Sequence, residues 1–491
     1  MPATSSRKEV RFIHLLLPIL FLMTLIVYGL IIQPQVFKKE AFPLEIVFLL
    51  ATVFSATHLL CIGFTWKTIQ EAIVKKLAKG FPAVLILFAI GLVIGTWIIS
   101  GTIPMLIYYG IKIINPSYIY VLAFLIPVLF STLTGTSWGS VGTIGTVIIG
   151  VAATVDAHLG ITAGAIIGGA FMGDKLSPLS DTTNLAAIAT DVNLYDHIRS
   201  MLYTTVPSAV IAMTLFFILG FIYPPVTTAT ESAETQEILQ AIERMFSFNI
   251  VLLVPPLVVL YGSLRKMATL PTLLASSIVA CILALIFQDF DIGTVMTALR
   301  NGFDTTMAPW AGNIPDKLQT LFNRGGLFEL NEVIVFTLMA LTFIGTIDVT
   351  EAMPKIVNKV FAFAKAKYAI ILSTLLSTAF TNAITSNQSA TSFIIGDAFK
   401  KKYDQAKISR RVLSRSIEDY GTMLESLIPW TATTLFMVAT LGVPYADYWH
   451  WQFLSLSNIV IAPLLAILGI GCFYTSKPSN DEEDENEEED V

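Results

Sequence analysis

Long apolar runs separated by short polar segments dominate this chain. An α-helix rises about 1.5 Å per residue, so roughly 20 apolar residues cover the hydrocarbon core of a bilayer. Ten runs reach that length: 12–33, 44–65, 82–108, 160–192, 202–223, 247–264, 268–288, 331–351, 410–440 and 452–474. Two further stretches, 118–152 and 367–398, are too long for one crossing and are interrupted by TLTGTSWGSVGT and TNAITSNQSATS. Polar backbone at membrane depth is tolerated only where protein or water satisfies it, which predicts a re-entrant hairpin at each stretch. The predicted fold class is an all-α polytopic membrane protein of about 10 transmembrane helices plus 2 re-entrant hairpins.

Charge supports the hairpins. With the N-terminus on the cytoplasmic side, 22 of the 30 lysines and arginines fall in cytoplasmic segments and seven outside, with Lys175 inside a run. Full crossings in place of hairpins would move Arg199, Arg265, Lys266 and the loop 352–367 outside and weaken the positive-inside bias. Both termini are therefore expected in the cytoplasm. The first run follows Arg7, Lys8 and Arg11 without a small-residue cleavage pattern and reads as an anchor. Composition agrees, at 54% hydrophobic and 13% charged. The net charge of -6 comes from the tail, whose stretch 481–490 carries nine acids. That tail should be solvated. Cys61, Cys281 and Cys472 are far apart and suggest packing rather than a disulfide or metal framework.

The chain also repeats itself at an offset of about 250 residues. Gly95 and Pro104 align with Gly345 and Pro354, FSTLTGTSWGS from Phe130 with LSTAFTNAITS from Leu376, and GDKLSPLSDTTNLAAIATDV from Gly173 with the segment beginning at Glu418. This alignment places Asp174 near Asp419 and Ser180 near Glu425. Five crossings between matching elements would give the halves opposite orientations. The expected organisation is a cytoplasmic N-terminus at 1–11, a first repeat over 12–264, a second over 247–475 that shares the run 247–264, and the acidic tail 476–491.

An ionisable group at the bilayer centre costs about 2.5–3.5 kcal/mol on insertion scales, so each one demands a reason. The densest cluster holds Asp174, Lys175, Asp181, Thr182, Thr183 and Asn184 around Pro178, which should break the helix. The second repeat offers Asp419 and Glu425 between the breakers Gly421 and Pro429. Thr134, Thr136 and Ser137 at one hairpin tip, and Asn382, Ser386 and Asn387 at the other, add neutral oxygens. Broken helices expose carbonyls and amides, and with these side chains they suit a hard monovalent cation. Lys175 is expected to pair with the adjacent Asp174. The loop 301–325 carries no readable motif. The sequence has no nucleotide-phosphate loop, metal-ligand spacing or nucleophile motif, so ATP-driven transport, enzymatic catalysis, a cofactor and nucleic-acid binding find no support.

TGTSWGSVGTIG from Thr134, GGAFMGDKLSPLSDTTNLAA from Gly168, SNQSATSFIIGDAF from Ser386 and SRSIEDYGTMLESLIPW from Ser414 resemble the NhaC family of bacterial sodium/proton antiporters. The resemblance spans about 40–470 and implies exchange of Na+, or Li+, for H+ across the bacterial inner (plasma) membrane. The ions would compete for buried carboxylates, Asp181 and Glu425 first and Asp174 next, with Na+ held at Asp181, Asn184 and Asn387. Similar transporters are often homodimers. Some similar members exchange sodium with organic acids of the malate/lactate type. A carrier of such a small carboxylate or of an amino acid is the alternative, opposed by the lack of an obvious intramembrane arginine.

Overall fold

The computed structural model describes residues 10–225, 233–361 and 364–474. The acidic segment 476–491 lies outside them. The main helices are α1 Phe12–Gln35, α2 Leu44–Cys61, α3 Trp66–Ile99, α4 Thr102–Ile113, α5 Pro116–Thr134, α6 Ser137–Thr154, α7 Leu159–Leu176, α8 Asp181–Ala189, α9 Leu194–Ile222, α10 Ile250–Leu264, α11 Thr269–Phe287, α12 Asn331–Asp348, α13 Lys367–Thr385, α14 Gln388–Ala406, α15 Arg410–Tyr420, α16 Ala432–Leu441 and α17 Phe453–Leu468. Among the described residues nine helices are long and apolar enough to cross a bilayer, or eleven if two bent pairs each form one span. The chain is therefore an all-helical multi-pass membrane protein.

Two boundaries differ from the sequence expectation. The run 82–108 is not one helix. α3 begins at Trp66, where the Thr65 hydroxyl caps the amide of Thr68, and its 34 residues rise about 50 Å, well beyond a bilayer core of about 30 Å. It stops at Ile99 because Gly101 takes a left-handed φ of 82°, and α4 starts anew. The excess length of α3 carries Lys67, Lys75, Lys76 and Lys79, and Lys76 pairs with Asp348 at the end of α12 at 3.0 Å. The loop 301–325 is also more ordered than its sequence suggested. The Gly326 amide donates to the Gly91 carbonyl of α3 at 2.8 Å, and Arg324 donates to the carbonyls of Ala439 and Thr440 at the end of α16.

Packing divides the helices into two groups. In one, α12 lies against α2 and α3, α11 against α3, and α10 against α11. In the other, α5 packs on α7, α9 on α5, α15 and α17, and α13, α14 and α15 on one another, with α8 against α14 and α15. The α5–α7 contact is extensive because Gly169 and Gly173, one turn apart on α7, face the carbonyls of Phe124 and Val128, where a Cβ would collide with backbone. Small residues at this spacing let membrane helices approach closely. Gly169→Val should therefore destabilise the protein by about 1–3 kcal/mol through overpacking. The check is the melting temperature of the purified protein, and an unchanged value would count against this contact.

Both interrupted stretches fold back on themselves. α5 turns into α6 at Gly135 (φ 67°), and α13 turns into α14 at Ser386 (φ 47°). The limbs pack on each other beside each turn.

Candidate functional site

The two turns are built alike, at positions 251 residues apart. Thr136 caps α6 by accepting from the Gly139 amide at 3.2 Å, and Asn387 caps α14 by accepting from the Ala390 amide at 2.8 Å. Across the first turn the hydroxyls of Thr134 and Ser140 meet at 3.2 Å, and across the second those of Thr385 and Thr391 meet at 3.0 Å. Ser131 donates to the Ala170 carbonyl at 2.7 Å, as the Asn382 amide does to the Gly421 carbonyl at 3.0 Å.

The same offset relates the broken helices. Between α7 and α8 the chain opens over Ser177–Pro178–Leu179–Ser180, and Ser180 caps the Thr183 amide. Before α16 it opens over 426–431, and Thr431 caps the Thr434 amide. Thr183 donates to the carbonyls of Asp174 and Lys175 at 3.4 and 3.2 Å, while Thr434 donates to the Glu425 carbonyl at 2.9 Å. Asp174 is thus the counterpart of Glu425, which corrects the expected pairings of Asp174 with Asp419 and Ser180 with Glu425. The signal is present in sequence, since DKLSPLSDTT at 174–183 matches ESLIPWTATT at 425–434, proline on proline. Matching Asp174 to the clustered acids Glu418 and Asp419 obscures that register.

The two carboxylates sit in matching surroundings. Asp174, 4% exposed, meets the hydroxyl and amide of Ser137 and the hydroxyl of Ser180. Glu425, 8% exposed, accepts from the Thr433 hydroxyl at 2.8 Å and meets the Gln388 amide and the Asn382 side chain. Ser137 and Gln388 are the first residues of α6 and α14, so each acid faces a helix N-terminus, where unpaired amides favour negative charge. The Asp174 charge also reaches Glu425.

The other candidates take different places. Lys175 does not pair with Asp174. Neighbouring residues on a helix point about 100° apart, and Lys175 instead crosses to Asp419 in the second half of the chain, both side chains fully buried. Asp419 also accepts from Thr204 at 2.9 Å and Asn458 at 3.3 Å, with Arg415 at 3.9 Å, so its oxygens are committed to this network. Arg415, in α15, is buried and tied to the carbonyls of Ser200 and Gly471.

Asp181 lies exposed in the first turn of α8, near enough for its charge to act on Asp174, and its counterpart is Ala432. Thr182 meets the Ser180 hydroxyl at 3.1 Å. Asn184 gives its amide to the carbonyls of Pro178 and Ser180, and Asn387 uses its side-chain oxygen as a helix cap. Of the expected sodium set of Asp181, Asn184 and Asn387, both asparagines serve the local backbone through these groups. Ser386 accepts from the Ala432 amide at 2.8 Å and so ties the second turn to α16. Sequence reasoning passes over Thr433, Gln388, Thr204 and Asn458, which become visible only when distant segments meet.

Buried acids at paired helix breaks, facing paired turns in a duplicated all-helical membrane fold, are the features of a secondary transporter. The chain belongs to the Na+/H+ antiporter family, whose model matches residues 169–470. It is 39% identical over 429 residues to an uncharacterized Na+/H+ antiporter of Haemophilus influenzae, covering 87% of this chain and 91% of that one. It is 34% identical over 430 residues to the Na+/H+ antiporter NhaC of Alkalihalophilus pseudofirmus, covering 87% and 90%. It is also 32% identical over 414 residues to the malate-2H+/Na+-lactate antiporter of Bacillus subtilis, covering 84% and 87%. The chain is thus an NhaC-type membrane antiporter and not an enzyme.

Proposed function

We propose that this chain exchanges Na+ for H+ across the plasma membrane, with Asp174 and Glu425 as the carboxylates for which the two ions compete. The observation that carries this reading is their equivalence: two buried acids, one per half, at matching helix breaks and against matching helix N-termini. A buried carboxylate can be neutralised by a proton or by a sodium ion, and occupancy by one excludes the other. Alternating access would arise from motion of the group holding α5, α7–α9, α13–α15 and α17 relative to the group holding α2, α3 and α10–α12. Both termini would lie in the cytoplasm, consistent with the distribution of lysine and arginine.

The test is exchange in proteoliposomes loaded with a pH dye. Under an imposed pH gradient, NaCl or LiCl alone should collapse the gradient while KCl does not. A response that requires malate or lactate would instead assign a carboxylate exchanger, a second reading favoured by the similarity to the malate/lactate antiporter. Arg415 gives that reading little help, since its guanidinium is held by backbone carbonyls.

A further inference from the structure

The two halves differ sharply one turn before the second break. At the 251-residue offset, Glu418, Asn382, Gln388 and Gly421 correspond to Ile167, Ser131, Ser137 and Ala170. In the first half these positions are apolar or satisfied, since Ser131 donates to the Ala170 carbonyl and Ser137 serves Asp174. In the second half three acceptor oxygens are buried and unpartnered: Glu418 Oε1, Asn382 Oδ1 and Gln388 Oε1. Their residues are 0%, 0% and 5% exposed. A buried acceptor without a partner keeps its full desolvation penalty, so three in one neighbourhood call for an explanation.

The residues that carry them all lie around Gly421. Asn382 donates its amide nitrogen to the Gly421 carbonyl at 3.0 Å, and Gln388 donates its nitrogen to the Ile417 carbonyl at 3.2 Å. Those bonds fix the amide orientations, because a flip would set oxygen against oxygen. The Gln388 oxygen occupies the space that a Cβ on Gly421 would fill. Glu418 lies one turn earlier on the same helix, its second oxygen accepting from Thr422 at 2.6 Å. Lys175, the nearby cation, is engaged with Asp419.

We propose that Glu418, Asn382 and Gln388 form a binding site for a hard monovalent cation, sodium, beside Glu425. One carboxylate with two amide carbonyls supplies oxygen ligands but a single negative charge, which suits a monovalent ion over calcium. The site belongs to the second half alone, so the antiporter carries, besides its two equivalent exchange acids, an additional sodium site in one half only. This rests on the reading of the chain as a sodium-coupled carrier.

The test is equilibrium binding of radioactive sodium to the full-length protein in lipid nanodiscs, with choline as the control salt and lithium as competitor. Glu418→Gln and Gln388→Ala should each weaken sodium binding at least tenfold, whereas Asp348→Asn, which alters only a partly exposed ion pair with Lys76, should still bind it. Should Glu418→Gln fail to give monodisperse protein, Gln388→Ala, which leaves every charge in place, decides the matter. Wild-type binding by both variants, together with loss in Glu425→Gln or Asp174→Asn, would overturn this site while leaving sodium/proton exchange intact. Absence of sodium binding by the wild type would overturn both.

Discussion

Sodium-driven proton exchange collapses in Asp174→Asn and in Glu425→Gln, each falling at least a hundredfold in the proteoliposome assay while the protein remains in the membrane. Each substitution keeps the shape of the side chain and removes the one charge that either ion must neutralise. The amide can still meet neighbouring hydroxyls, so packing around Ser137 and Ser180, or around Thr433 and Gln388, should survive. Equal loss in both variants is the expected consequence of their matching positions. Asp181→Asn provides the contrast. Its carboxylate is exposed, has alanine as its counterpart, and reaches the site only through its charge on Asp174, so exchange should fall severalfold at most. Wild-type exchange in Asp174→Asn together with abolished exchange in Asp181→Asn would refute the assignment.

The second large effect concerns stability. Lys175→Ala or Asp419→Asn leaves its partner charged and buried, and breaking such a pair from one side typically costs about 3–5 kcal/mol. Both single variants should melt far below the wild type or fail to purify as monodisperse protein. The double variant Lys175→Met/Asp419→Leu replaces the pair with apolar side chains and should recover much of the loss, because desolvation offsets most of the Coulombic gain in a buried pair. Thr204 and Asn458 keep recovery incomplete, since both would lose the carboxylate they now bond. Additive losses in the double variant would show that the two charges are stabilised independently. Because this pair joins α7 to α15, it fastens the first broken helix to the second.

The sequence by itself determined the class of architecture. Bilayer thickness converts apolar run length into helix count, and an interrupted run announces a turn, so the stretches 118–152 and 367–398 are recognisable as folding back from their residues alone. Pro178 and Pro429 mark the helix breaks because proline lacks the amide a helix requires there. Family membership is legible for the same local reason, carried in short contiguous motifs around Thr134, Gly168, Ser386 and Ser414.

What only the tertiary structure decided was which polar groups meet. Adjacency along the chain suggests an Asp174–Lys175 pair, but helical geometry turns those side chains apart and sends Lys175 to Asp419, 244 positions away. Composition makes Asp181 and Asn184 look like ion ligands, whereas backbone opened by Pro178 claims the Asn184 amide and Asp181 is exposed. Arg415 stands near the start of the run 410–440 and proves to be buried, because the carbonyls that hold it come from remote segments. Hydropathy and local motifs register short-range physics, while the partners of a buried charge are set by the packing of helices hundreds of residues apart.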